Sequence, residues 1–155
     1  MKGKTTLRQV QAVIFSEKGV LLLKKRDIKF EKGKWFRTGQ SFWRLPKGKL
    51  EKGEGEKQGL KRELREETAL KKIGIGRKFF AYQYESPKGV LRKVSTFLVQ
   101  AREKPRMTSE GKEEGIEKMR FFGFKEAVGK LHWKPEKTAL KKASKLLKNN
   151  STIKY

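Results

Sequence analysis

Apolar and polar positions along this chain sort into short runs of two periods. Leu7 to Phe15 and Gly19 to Lys25 are rich in leucine and β-branched residues and are joined through Ser16-Glu17-Lys18-Gly19, so the pattern predicts a β-hairpin at the start. Asp27 to Ser41 loses that pattern; polar, basic and glycine-containing, it reads as a loop, although Phe30, Trp35 and Phe36 lie in it. From Glu56 to Leu70 apolar residues recur at 60, 64 and 69/70 among charged ones, which is the period of a helix. Phe79 to Glu85 and Lys93 to Ala101 read as strands joined across the turn-like Ser86-Pro87-Lys88-Gly89, and Met119 to Phe124 as another short strand. Two helices follow, Glu126 to Leu131 and Glu136 to Leu147, the second with Ala139, Leu140, Ala143, Leu146 and Leu147 on one face. The order of strands, loop, helix, strands and helices predicts a mixed α/β layer with one long crossover rather than a regular parallel repeat. No internal repeat is present, and the residues after Lys148 read as a frayed tail, leaving a single domain over 1–148 and a tail over 149–155.

Composition narrows the picture. The chain has 155 residues, the size of one domain, and 35% hydrophobic content with 15 glycines is enough for a packed core. The absence of Cys excludes disulfide scaffolds, Cys-ligated zinc and thiol catalysis, and a lone histidine, His132, excludes multi-histidine metal sites. The first apolar run, Ala12 to Phe15, is shorter than the roughly 7 to 15 residues of a secretory segment. Nowhere do about 18 apolar residues follow one another, as a spanning helix requires. The sequence therefore predicts a soluble cytoplasmic protein with no membrane partner.

Charge adds a location. The net charge is +24, which implies a polyanionic partner or substrate, although a lysine-rich composition produces the same number with no function attached. The segment Gly48 to Leu70 carries six acids and six bases, so the whole excess lies outside it. Glu110, Glu113, Glu114 and Glu117 form a second acidic group in eight residues. Acid concentrated in two places on a basic chain marks candidate cation binding. Within the first group, Glu63, Glu66 and Glu67 stand at i, i+3 and i+4, and a helix gathers such positions on one patch, about 5 to 6 Å apart at Cβ. A hard divalent cation reverses the repulsion among them. The plainer reading is a solvated helix face neutralised by Arg62 and Arg65.

The surrounding spacing favours the first reading. Gly48, Glu54 and then Arg62-Glu63-Leu64-x-Glu66-Glu67-x-x-Leu70 resemble the signature of the Nudix hydrolases, G-x5-E-x7-R-E-U-x-E-E-x-G-U with U aliphatic, at eight of its nine fixed positions. Ala69 stands where the pattern has glycine; if that residue is left-handed, alanine costs about 1 kcal/mol there. Trp43-Arg44-Leu45-Pro46-Lys47-Gly48 is similar to the W-x-x-P-K-G lead-in of the diadenosine polyphosphate and diphosphoinositol branch. Glu117 to Phe121 with Phe124 to Ala127, and His132-Trp133-x-x-Glu136, also suit that family, so that residues 6 to 148 can be laid on its pattern.

The resemblance implies an α/β/α sandwich with a mixed central sheet, and a pyrophosphohydrolase that uses Mg²⁺ (or Mn²⁺) to hold a diphosphate and activate water. It implies Glu66 and Glu67 as metal ligands, Glu63 as ligand or general base, the Gly48 carbonyl as a further ligand, Arg62 as the group that holds a carboxylate, and Glu54 as a brace for the loop. Glu114 is the expected extra base or ligand from the second acidic group, with Glu113 and Glu110 as alternatives. Lys47 is expected to reach a substrate phosphate, and Arg44 more weakly. Tyr82, Tyr84 and Phe97 are either base-stacking residues or core, and Tyr84 is carried forward as substrate-binding. Typical dinucleoside tetraphosphate hydrolases have a tyrosine near the position of Thr96, which weakens that one substrate.

The implied substrate is a nucleoside diphosphate linked to another group, a dinucleoside polyphosphate or nucleotide first. RNA is a further candidate partner of the basic surface, because Phe30, Trp35, Phe36 and Phe42 are interleaved with Lys29, Lys32, Lys34 and Arg37. The alternatives are an RNA 5′-end pyrophosphohydrolase and a non-catalytic RNA-binding module; for the aromatic segment itself, the plainer reading is a hydrophobic flap over the active site.

Overall fold

One strand organises the sheet. In the computed structural model, which describes residues 5–87 and 89–149, β1 (Thr6–Ser16) is apolar on both faces. Val13 and Phe15 enter one hydrophobic cluster, and Val10, Ala12 and Ile14 enter the other. A strand covered on both sides belongs in the middle of a sandwich. Along one edge β1 runs parallel to β6 (Leu91–Ala101), from Thr6 opposite Leu91 to Phe15 opposite Gln100. Its other edge takes β2 (Gly19–Glu31) at the hairpin end and the short antiparallel β4 (Lys47–Lys49) beside Gln9, Val10 and Gln11. β5 (Ile73–Glu85) lies antiparallel to β6, while β3 (Lys34–Arg44) and β7 (Ile116–Phe122) lie antiparallel to β2. The result is a seven-stranded mixed sheet in the order β3-β2-β1-β6-β5, with β4 attached to β1 and β7 to β2.

Helices cover the two faces. α1 (Glu56–Thr68) sets Leu60 and Leu64 against Val10, Ala12 and Ile14. α3 (Phe124–Lys130) and α4 (Lys134–Asn149) set Ala127, Ala139, Leu140, Ala143 and Leu147 against Val13 and Phe15. The architecture is an α/β/α sandwich. A one-turn helix, α2 (Ser109–Glu113), is capped by the Thr108 hydroxyl, which accepts from the Gly111 N–H at 2.8 Å. It packs on the end of α1 so tightly that a Cβ at Gly111 would fall 2.9 Å from the Glu67 carbonyl oxygen.

Two expectations are corrected. The segment Asp27 to Ser41 is not a loop: β2 continues to Glu31, turns at Lys32 and Gly33, and returns as β3. Both turn residues have positive φ, 49° and 76°, the geometry of the two-residue turns that suit the twist of a hairpin. Backbone pairing rather than burial closes this hairpin, so polarity gave no sign of it. Second, Phe124 begins α3 instead of ending a strand. Of the two readings of Phe97, the structure takes the core: it is buried on the α1 side, on the opposite face of the sheet from Tyr82 and Tyr84. Ala69 adopts the left-handed cap, φ 61° and ψ 11°, and its N–H closes onto Arg65 O at 3.0 Å. Of the tail expected at 149–155, Asn149 still belongs to α4 and the rest lies outside the described residues.

Candidate active site

Helical spacing gathers the acidic side chains, and one cation organises them. Arg62 donates Nε to Glu54 Oε2 at 2.8 Å and Nη2 to Glu54 Oε1 at 2.9 Å, a paired contact. Its Nη1 reaches Glu63 Oε1 at 3.0 Å and Glu66 Oε2 at 3.2 Å, and Nη2 also reaches the Lys49 carbonyl at 2.9 Å. A guanidinium has five N–H donors, and all five are engaged. Glu54 also accepts from the Glu51 N–H at 3.0 Å, so it ties the loop before α1 to the helix. The Arg62 contact, helped by that backbone bond, holds the Glu54 carboxyl down at about 2.

Glu67 has no such partner. It is 3% exposed, and its Oε1 accepts no hydrogen bond. Burial pushes its carboxyl up to about 8; the Lys25 ammonium opposes this, and the charges of Glu63, Glu114 and Glu66 add to it. Glu63 is also raised, by burial against the pull of Arg62, with Glu114 and Glu66 contributing. Gly48 is pressed against Glu63: a Cβ there would lie 2.1 Å from the Glu63 carboxyl carbon. Of the second acidic group, Glu114 is the member whose charge acts on both Glu63 and Glu67, and it faces Lys25 Nζ at 3.8 Å. Glu113 and Glu110 are exposed, and the Glu113 carbonyl accepts from Arg37. Glu117 is taken by Arg26 and Ser41.

The expected substrate residues lie on the other face of the sheet. β4 pairs Gly48 with Val10 and Lys47 with Gln11, and neighbours along a strand point to opposite sides. Lys47 Nζ donates to the Tyr84 hydroxyl at 2.9 Å, which in turn donates to Gln9 Oε1 at 3.2 Å. Burial, reinforced by the Arg44 charge, lowers the Lys47 ammonium to about 7, while Glu136 opposes the shift. Tyr82 stacks on Tyr84 with centroids 6.3 Å apart, and its hydroxyl shares Gln11 Oε1 with the buried Thr96. Arg44 is engaged by the buried Glu136, with Nη2 at 2.8 Å and Nε at 3.2 Å from Oε2, and lies 4.2 Å over the Trp133 ring. His132 stacks on Phe42 at 4.4 Å.

With this arrangement described, its relatives can be compared. The model of the NUDIX domain matches residues 5–143. The chain belongs to the NUDIX domain family. A Nudix hydrolase acts on phosphoric anhydride bonds, and the Arg62-centred carboxylates occupy the signature positions of that family. Similar solved structures include an Ap4A hydrolase of C. elegans in a binary complex, with 20% identity, 93% of this chain and 99% of that one covered, and a TM-score of 0.73. A MutT protein from Methanosarcina mazei Go1 gives 19% identity, 96% and 99% coverage and 0.71. A NUDIX hydrolase from Nitrosomonas europaea gives 21%, 97% of each chain and 0.70. At these identities the likeness is one of fold.

The Nudix helix suits a hard divalent cation in the chemistry of its donors: several carboxylates, one buried carboxylate oxygen left without a partner, and a glycine strand that admits the Glu63 carboxyl. Among the described residues, however, no group of three or more His, Asp or Glu is gathered tightly enough to hold an ion as it stands. Arg62 occupies oxygens of Glu63 and Glu66, so an ion would have to share or displace those contacts. Four residues of the site escaped the sequence reading. Lys25 lies inside the basic run Lys24-Lys25-Arg26, where nothing singles it out, whereas Glu136 is the single acid of the lysine-rich α4. Gln9 and Gln11 interrupt the stripe that continues as Val13 and Phe15, and that interruption was the available signal.

Proposed function

We propose that this Nudix hydrolase is a Mg²⁺- or Mn²⁺-dependent pyrophosphohydrolase of nucleoside diphosphates linked to a second group, with dinucleoside polyphosphates first among its substrates. The observation that carries the reading is Glu67, buried with a carboxylate oxygen that accepts no hydrogen bond beside carboxylates that Arg62 already holds. An uncompensated buried carboxyl is costly, and a cation that neutralises it gives the cost a purpose. In this reading Glu66, Glu67, Glu63 and the Gly48 carbonyl hold the ion. Bound there, it would supply charge neutralisation for the diphosphate and an activated water. Arg62 fixes the positions of Glu63 and Glu66 through its paired grip on Glu54. Glu114, the acid of the second group whose charge acts on Glu63 and Glu67, accepts the proton of the attacking water or completes the ligand set. Lys47, on the opposite side of β4 from Gly48, presents its ammonium to a substrate phosphate that extends past the strand from the ion, and the negative charge of that phosphate favours the protonated form. Tyr84 holds Lys47 in place, and Arg44, steadied by Glu136, adds positive charge nearby.

The first experiment is a turnover panel of diadenosine tetraphosphate, nucleoside triphosphates, ADP-ribose and 5′-triphosphorylated RNA, with and without Mg²⁺ or Mn²⁺. Metal-dependent release of a nucleotide from the dinucleoside polyphosphate is expected. No hydrolysis of any member would overturn the reading, and undiminished turnover by Glu67→Gln would sink the metal assignment. Triphosphorylated RNA stays in the panel because the β2–β3 hairpin exposes Trp35 and Phe36 beside lysines.

A further inference from the structure

The large hydrophobic side chains that are exposed among the described residues all lie on one element. Ile28, Trp35 and Phe36 are 54%, 42% and 44% exposed, and all three sit on the outer part of the β2–β3 hairpin. Isolated exposed apolar residues are ordinary, but their confinement to one projecting hairpin is not. Cations are interleaved with them. Ile28 lies opposite Arg37, and Trp35 is two residues from Arg37, so one face carries Ile28, Arg37 and Trp35. Lys29 lies opposite Phe36, with Lys34 two residues away, so the other face carries Lys29, Phe36 and Lys34 together with one acid, Glu31, opposite Lys34. Lys32 stands at the tip. Lys29, Lys32, Lys34 and Arg37 are all exposed.

The root of the hairpin is fixed to the edge of the acidic site. Arg37 donates to the Glu113 carbonyl, the Arg26 N–H donates to Gly115 O at 2.9 Å, and Arg26 pairs with Glu117 at 3.4 Å. Lys25 faces Glu114, whose charge is felt by Glu63 and Glu67. The hairpin is therefore an arm that starts beside the carboxylates and projects from them.

We propose that this arm docks single-stranded nucleic acid passing over its edge, with bases stacked on Phe36 of one face and Trp35 of the other and phosphates held by Lys29 and Lys34 beside Phe36 and by Lys32 at the tip. Flat apolar rings beside cations fit a ligand that alternates planar bases with anionic phosphates. A duplex hides its base faces, and an apolar protein partner has no use for the cations. The net charge of +24 draws such a polyanion to the surface. The proposal goes beyond the hydrolase reading and does not depend on which bond the carboxylate site cleaves.

The test is fluorescence anisotropy with a labelled single-stranded RNA 12-mer bearing a 5′-hydroxyl, which offers no anhydride to hydrolyse. Binding is expected to weaken about tenfold or more in Trp35→Ala/Phe36→Ala, with its salt slope unchanged. Lys29→Gln/Lys32→Gln/Lys34→Gln is expected to shorten that slope by about 2, at roughly 0.7 per lost phosphate contact. Both variants should keep the parent kcat on a dinucleoside polyphosphate, and matching circular dichroism shows that they fold. Absence of binding, equal affinity for the aromatic variant, or equal affinity for a 12-base-pair duplex would each overturn the proposal. So would a concentration-dependent dimer in sedimentation that the aromatic variant abolishes, because the arm would then be a contact between copies of this chain. Oligonucleotide binding by a protein inactive on every small substrate would leave the arm standing and remove the hydrolase reading.

Discussion

Arg62 joins the loop before α1 to three carboxylates with a single planar group, and no other side chain can reproduce that fork. Arg62→Lys keeps the charge but offers three donors from one point, so the paired contact with Glu54 is lost. Destabilisation of about 1 to 3 kcal/mol is expected, together with a fall in kcat larger than any change in KM, because Glu63 and Glu66 lose their positions. Denaturant unfolding and steady-state kinetics check the two halves; parent stability and parent kcat would show that the fork is dispensable. Glu67 gives a prediction in pH. In metal-free protein its carboxyl is pushed up to about 8, whereas the unfolded chain titrates near the ordinary value of about 4.3. Between those values the folded state binds the extra proton, so stability is full below about pH 4 and is lost as pH rises through 8. The slope approaches about 1.4 kcal/mol per pH unit at its steepest. Denaturation in EDTA from pH 5 to 8.5 should show this decline, Glu67→Gln should remove it, and Mg²⁺ should restore stability most at the alkaline end, where no proton need be displaced. A profile that is the same for parent and Glu67→Gln would contradict the assignment.

Elements differ in how plainly the sequence announces them. α4 is legible because Ala139, Leu140, Ala143 and Leu147 fall at helical spacing and are all buried, so periodicity and burial coincide. α1 is legible for the same reason and places Glu63, Glu66 and Glu67 within two turns, which is why the acidic half of the site could be read in advance. The β2–β3 arm was illegible because its strands are stabilised by each other's backbone, with side chains in solvent that carry no alternation. Arg44 and Glu136 were illegible as a pair for another reason: 92 residues separate them, and only folding brings the start of the lead-in onto α4. The α1 cap carries a prediction at this scale. Ala69 sits at φ 61°, where a Cβ is strained by about 1 to 2 kcal/mol, and glycine's extra freedom in the unfolded chain offsets roughly half of any relief. Ala69→Gly should therefore stabilise by about 0.5 to 1 kcal/mol, a rise of about 1 to 4 °C in Tm for a chain of this size. Thermal unfolding of the two proteins decides it, and a lower Tm would mean that the strain is relieved elsewhere.

At the scale of the whole molecule, the +24 charge and the clustered glutamates have to be compatible. They are, because the acids of α1 are compensated locally by Arg62 while the excess of lysine stands elsewhere, much of it on α4. That helix carries Lys134, Lys137, Lys141, Lys142, Lys145 and Lys148, and its one acid, Glu136, is buried and committed to Arg44. A field of this kind accelerates the encounter of an anionic substrate without touching it, and it is screened over about 10 Å at 0.1 M salt. It follows that kcat/KM for a dinucleoside tetraphosphate should fall about tenfold between 25 and 250 mM NaCl while kcat stays constant. Lys141→Glu/Lys145→Glu, on the helix layer opposite α1, should lower kcat/KM severalfold at 25 mM and not at 250 mM, because the screened field no longer reaches the site. If kcat itself falls with salt, or if the α4 variant loses activity equally at both ionic strengths, the lysines act through local structure rather than through the field, and the basic excess has no part in bringing substrate to the carboxylates.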